Sequence, residues 1–117
     1  MERKSIYVAG PYSAEDPIDR DDNVKYAKEF AQKLGEAGWI VVCPHTMTHN
    51  WENETDMGYD DFMRIAIWLL SHCDAIFMVP LWEYSSGACT EKILAENWQM
   101  EIYHDLEKAC EVAKLWN

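Results

Sequence analysis

The chain has 117 residues, 49% hydrophobic and 26% charged, with a formal net charge of -11. That composition suits one globular domain, 1–117, and excludes collagen-like, disordered and two-core architectures. The acidic balance excludes duplex DNA or RNA as a partner, because phosphate backbones call for a basic face, yet it leaves a small anion possible at a helix N-terminus.

Met1-Glu2-Arg3-Lys4 passes directly into the short β-rich run Ser5 to Ala9, with no long apolar leader, and Gly10-Pro11 ends it. The polar segment through Asp22 reads as a loop. From Asn23, Val24, Ala27, Phe30, Ala31, Leu34 and Ala37 recur at three- and four-residue steps, which predicts one face of a helix ended by Gly38. Trp39 to Cys43 is a second strand, broken by Pro44, and strand-helix-strand order favours a parallel sheet.

Pro44 to Tyr59 has little periodicity and reads as a long loop, a kind of segment that is often functional. Asp60 or Asp61 is placed to cap a helix whose apolar face is Phe62, Ile65, Ala66, Leu69 and Leu70. Asp74 to Val79 is a third strand. Ala88, Cys89, Ile93, Leu94 and Trp98 mark another helix, Ile102 and Tyr103 a short last strand, and Leu106, Ala109, Cys110, Ala113 and Trp116 a last helix. The topology is therefore α/β: a small flavodoxin-like or Rossmann-like domain, with a parallel sheet of about four strands flanked by helices.

Cys73 to Glu91 is the most informative stretch. A buried strand stops at Pro80, and Ser85, Ser86, Gly87 and Ala88 supply small residues where a helix begins, with Glu91 about one turn inside it. Loops at the C-terminal ends of strands are where open α/β sheets bind ligands. By itself Glu91 reads as an acid complementing the helix dipole, and Ser85 and Ser86 as caps.

Other residues carry less. His45 and His49 have i, i+4 spacing, but Pro44 and the polar run after it oppose a helical metal site, so no metal is expected. Cys89 near a helix start reads as a packed thiol. The four cysteines, Cys43, Cys73, Cys89 and Cys110, form no CxxC pair, which predicts reduced thiols and a cytoplasmic protein. No stretch is apolar enough to span a bilayer, so no membrane partner is expected. Trp39, Trp68 and Trp98 read as core or interface residues.

Three pieces, IYVAGPYS at 6–13, CDAI at 73–76 and SSGACTEKILA at 85–95, together resemble the nucleoside 2-deoxyribosyltransferase superfamily. Within it the likeness is strongest to a small phage and bacterial branch known only as a domain of unknown function (DUF4406-like). The resemblance implies that Glu91 attacks the anomeric carbon of a 2-deoxyribosyl group, with Tyr7 orienting it by a hydrogen bond. It implies that Gly10, Pro11 and Tyr12 wall the sugar pocket, that Trp82 or Tyr84 stacks on the base, and that Ser85 and Ser86, beside Gly87, meet a 5′-phosphate. Relatives place carboxamide or carboxylate groups before the CDAI-like strand to contact the base; here Ile65 to Leu70 is apolar, which leaves Asp60, Asp61 or an acid of the 44–59 loop for that role.

The expected activity is thus cleavage or transfer at the N-glycosidic bond of a deoxyribonucleoside or its 5′-monophosphate, without cofactor. The resemblance also implies a homo-oligomer, a dimer or larger. The alternative is a nucleotide-binding or sensing module that does no chemistry.

Overall fold

A computed structural model of the chain describes residues 2–11 and 17–116, with backbone alone for 17–20. Four parallel strands, β1 (Ser5–Ala9), β2 (Ile40–Val42), β3 (Ala75–Met78) and β4 (Glu101–Tyr103), form one sheet in the order β2-β1-β3-β4. Helices α1 (Pro17–Ala37), α2 (Pro44–Met47), α3 (Trp51–Glu54), α4 (Tyr59–Ser71), α5 (Ser86–Asn97) and α6 (Leu106–Lys114) connect and flank it. The expected α/β architecture is what forms, with the strand order of the flavodoxin-like sheet.

The central strands are apolar at nearly every position because both of their faces are covered. Strand alternation sorts their side chains. Ile6, Val8, Ala75 and Phe77 join Ala27, Ala31 and Leu34 of α1 and Ala109 and Ala113 of α6 in one core layer. Tyr7, Ala9, Ile76 and Met78 join Ala66 and Leu70 of α4 and Ala88 and Ala95 of α5 in the other. The register Tyr7 opposite Ile76 keeps the two strands in step, so one sequence parity fills each layer.

Three local expectations are corrected. Helix α1 begins at Pro17, not Asn23: its first turns carry mostly charged residues, so no apolar stripe betrays them, and proline suits a first helical position. The segment expected to be loop contains α2 and α3, each a single turn too short to show periodicity. Gly58, not Asp60 or Asp61, is the N-cap of α4, and Asp61 instead accepts the Gly58 N–H at 2.9 Å.

Gly38 ends α1 as expected, at φ 128, with its N–H donated to Gly35 and that of Trp39 to Leu34, the paired bonds of a Schellman turn. Trp39 is core, whereas Trp68 and Trp98 lie exposed on α4 and just after α5, and Ile93, expected on a buried face, is 58% exposed. All four cysteines are free. Among the described residues no helix is long and apolar enough to cross a membrane.

Gly10 follows β1, where the Val79 N–H after β3 donates to the Ala9 carbonyl at 2.8 Å. A Cβ at Gly10 would lie 2.8 Å from Cβ of Val79, closer than packed carbons tolerate. Gly10→Ala is therefore expected to lower folding stability by about 1–3 kcal/mol in urea denaturation, as overpacking of a dense core does. An unchanged midpoint would show that the strand ends separate freely.

Candidate active site

The chain leaves β1 through α1 to reach β2 on one side, and returns through α4 to β3 on the other. Between β1 and β3 this opposition opens a crevice at the carboxyl ends of the strands. A cavity of about 510 Å³ occupies it, lined by Tyr7 and Gly10, by Pro44, His45, Thr48 and Glu52 of the segment after β2, by residues of α4, and by Tyr84 to Ala88 with Glu91.

Tyr7 and Glu91 meet at the base of this cavity. Tyr7 has the strand parity that faces α4 and α5, and Glu91 lies on the same buried stripe of α5 as Ala88 and Ala95. The Tyr7 hydroxyl donates a hydrogen bond to Glu91 Oε2. Tyr7 is 1% and Glu91 5% exposed. Burial pushes the Glu91 carboxyl up to about 7, against the hydrogen bond from Tyr7, which lowers it. The phenol is raised well above its ordinary value, first by burial and then by the neighbouring carboxylate, so it stays protonated and keeps donating. Near neutral pH the site thus holds a carboxyl that ionises readily, oriented by one fixed donor. It is suited to nucleophilic or acid–base work.

The serine-glycine turn forms one wall. Ser85 is the N-cap of α5, its oxygen accepting the Ala88 N–H at 3.2 Å. Ser86 Oγ lies 3.5 Å from the Tyr59 hydroxyl of α4. A Cβ at Gly87 would make only ordinary contacts with Met63 Sδ and the Tyr59 hydroxyl, so glycine here leaves room in the cavity and is not required by the backbone. Tyr84 stands at the rim, 85% exposed.

A second wall is marked by no motif of the sequence. Met57, Tyr59, Phe62, Met63 and Ala66 bring an apolar surface to the cavity, and Glu52 brings a second carboxyl. Glu52 is the acid of the 44–59 segment that reaches the cavity; Asp60 and Asp61 do not line it. His45 is buried, with Nε2 2.8 Å from the Gly10 carbonyl and 3.1 Å from that of Pro11. Carbonyls only accept, so Nε2 carries the proton, and burial lowers the imidazole's pKa. His45 thereby ties the turn after β1 to α2. The only advance signal was a histidine next to a strand-ending proline.

Not every expected residue lines the cavity. His49 pairs with Asp21 at 2.7 Å, so the two histidines face different partners, and no metal-holding cluster of His, Cys, Asp or Glu occurs among the described residues. Pro11 contributes its carbonyl to His45 but does not line the cavity, and Tyr12 lies outside the described residues. Trp82 also stands apart from the cavity. A single 3-10 turn, Trp82–Tyr84, entered through Leu81 at φ 79, carries its ring to His104 and under the ammonium of Lys92, 5.0 Å from the ring centre.

The family model described as Domain of unknown function (DUF4406) matches residues 4–104, a span that takes in the four strands and, among the described residues, every one lining the cavity. No curated protein matches the chain.

Proposed function

We propose, for a chain that belongs to the family described as Domain of unknown function (DUF4406), that the cavity cleaves or exchanges the N-glycosidic bond of a deoxyribonucleoside or its 5′-monophosphate. The observation that carries this reading is the buried Tyr7–Glu91 pair at the base of a cavity at the β1–β3 crevice. The resemblance of the Tyr7 strand and the serine-glycine turn to nucleoside 2-deoxyribosyltransferases supports it.

In this mechanism a Glu91 carboxylate oxygen bonds to C1′ as the C1′–N bond breaks, and the bonding pair leaves with the base, which takes a proton from solvent. Water, losing a proton, then attacks C1′ and frees the carboxylate; a second base doing so gives transfer instead. A carboxylate suits this because it traps oxocarbenium character and leaves as a good ester leaving group. The apolar wall of Phe62 and Met63 offers a surface for the base. The free thiols support a cytoplasmic location, and the same resemblance supports a homo-oligomer.

Incubation with deoxynucleosides and their 5′-monophosphates, with and without an acceptor base, followed by chromatography, tests the reading: free base, or an exchanged nucleoside, is expected. Calorimetric binding without any base release would instead assign the cavity to a non-catalytic sensing module.

Tyr7→Phe is expected to lower kcat/KM by about tenfold or more, the worth of a hydrogen bond to a charged group. Because that bond holds the Glu91 carboxyl down, the variant's pH–rate profile should also move to higher pH. A fall in rate with an unmoved profile would mean that Tyr7 acts through packing alone.

A further inference from the structure

The i, i+4 spacing of His45 and His49 directs two imidazoles onto two points of the chain between β1 and α1. Helix α2 ends at Met47 with Thr48 as its C-cap, so the rings do not share one helical face. His45 Nε2 reaches the carbonyls of Gly10 and Pro11, where the chain leaves β1, at 2.8 and 3.1 Å, and His49 Nε2 reaches the Asp21 carboxylate in α1 at 2.7 Å. The turn that carries them is stiff. Pro44 fixes its first backbone angle, the Thr46 hydroxyl donates to the Cys43 carbonyl at 3.0 Å, and the Thr48 hydroxyl and N–H donate to the Pro44 carbonyl at 3.2 and 3.1 Å. Gly10 is fixed from β3 as well, since Val79 packs too closely to admit a Cβ. Gly10, Pro44, His45 and Thr48 all line the cavity, so the bonds from His45 join two pieces of one wall. The Tyr7–Glu91 pair is placed by other elements: Tyr7 stands in register with Val42 and Ile76 of the flanking strands, and Glu91 is carried by α5.

We infer that His45, aided by His49, is a positioning residue for substrate binding: the two clasp the chain after β1 to the segment after β2 and keep that wall of the cavity in its receiving form. The inference rests on the proposed reaction for its kinetic consequence. With the clasp, the wall is in place before substrate arrives. Without it only a fraction of the molecules carry a formed wall, and apparent affinity falls by that fraction. The complex, once formed, still sets Tyr7 against Glu91, so the chemical step keeps its rate. His45 carries most of the effect, because it is buried and its loss takes a donor from two carbonyls. The His49–Asp21 pair is partly exposed and contributes less.

The test measures kcat and KM for base release by wild type, His45→Leu and His45→Gln, on whichever 2′-deoxynucleoside or 5′-monophosphate wild type cleaves best. Leucine keeps bulk but has no donor, whereas the glutamine amide can still donate to the two carbonyls. His45→Leu is expected to raise KM about fivefold or more with kcat within about twofold of wild type, and His45→Gln to bring KM back to within about twofold. A merely structural role would lower the folded fraction, and so kcat, at constant KM. That result, or a His45→Gln no better than His45→Leu, overturns the inference and leaves the reaction standing. His49→Ala and Asp21→Ala should each raise KM by about twofold and the double variant no further, since the two share one bond. If His45→Leu does not fold, an unchanged KM in these variants overturns the inference. Absence of base release by wild type overturns the reaction instead. Hydrogen exchange in His49→Ala then decides the clasp: faster exchange than wild type across 21–31 and 44–54, with β3 unchanged, upholds it, and equal exchange overturns it.

Discussion

Glu91→Gln is expected to reduce base release by about a thousandfold or more while leaving the fold intact. Glutamine keeps the volume of the side chain and can still accept the Tyr7 hydrogen bond through its carbonyl oxygen, so the packing of α5 against β1 is conserved. What it loses is the anionic oxygen that bonds to C1′ in the proposed reaction, and removal of a covalent nucleophile costs factors of this size or larger. Single-turnover base release, beside circular dichroism of both proteins, checks it. Comparable rates from wild type and variant would remove Glu91 from the chemistry. The wild-type rate should rise with pH through about 7, as the buried carboxyl ionises.

The same burial makes Glu91 a cost to folding at neutral and alkaline pH. Its carboxyl sits at about 7 in the fold against an ordinary 4.5, so its folded pKa is raised. A raised group adds stability that is fully present below pH 4.5, declines as the unfolded chain ionises first, and is lost as pH passes through about 7. The shift corresponds to about 3 kcal/mol. Urea denaturation of wild type and Glu91→Gln at pH 4.5 and pH 8 should therefore show the variant gaining about 3 kcal/mol on wild type between the two. The remaining carboxyls titrate alike in both proteins and drop out of the difference. A gap that does not change with pH would mean that the Glu91 carboxyl is solvated. Both results together would identify Glu91 as a residue that trades stability for reactivity.

The fold was readable because its signals are local. Four apolar residues before Gly10-Pro11, a three-and-four-residue stripe ended by Gly38, and a β-rich run before Pro80 each state one element without reference to the others. What escaped lacked such a pattern: the charged start of α1, and the single turns α2 and α3. For the same reason the wall containing His45, Thr48 and Glu52 escaped, since no short-range periodicity marks a residue that meets its partners across the sheet. Trp82 shows the opposite error. It adjoins the serine-glycine turn in sequence, yet one positive-φ residue and a tight turn carry its ring away to His104.

By itself, the sequence determined the α/β class and the order of the strands and longer helices, because strand and helix patterns are properties of short windows of chain; that Tyr7 meets Glu91 was implied by the family resemblance. Only the tertiary structure decided that Glu91 is buried beside a phenol and titrates near 7, that α4 gives the cavity an apolar wall and Glu52 a second carboxyl, and that Lys92 pairs with Glu96 and Arg64 with Asp61. Desolvation and charge depend on what surrounds a group on all sides. In this protein those surroundings come from β1, the segment after β2, α4 and α5, which the chain brings together only when the sheet has formed.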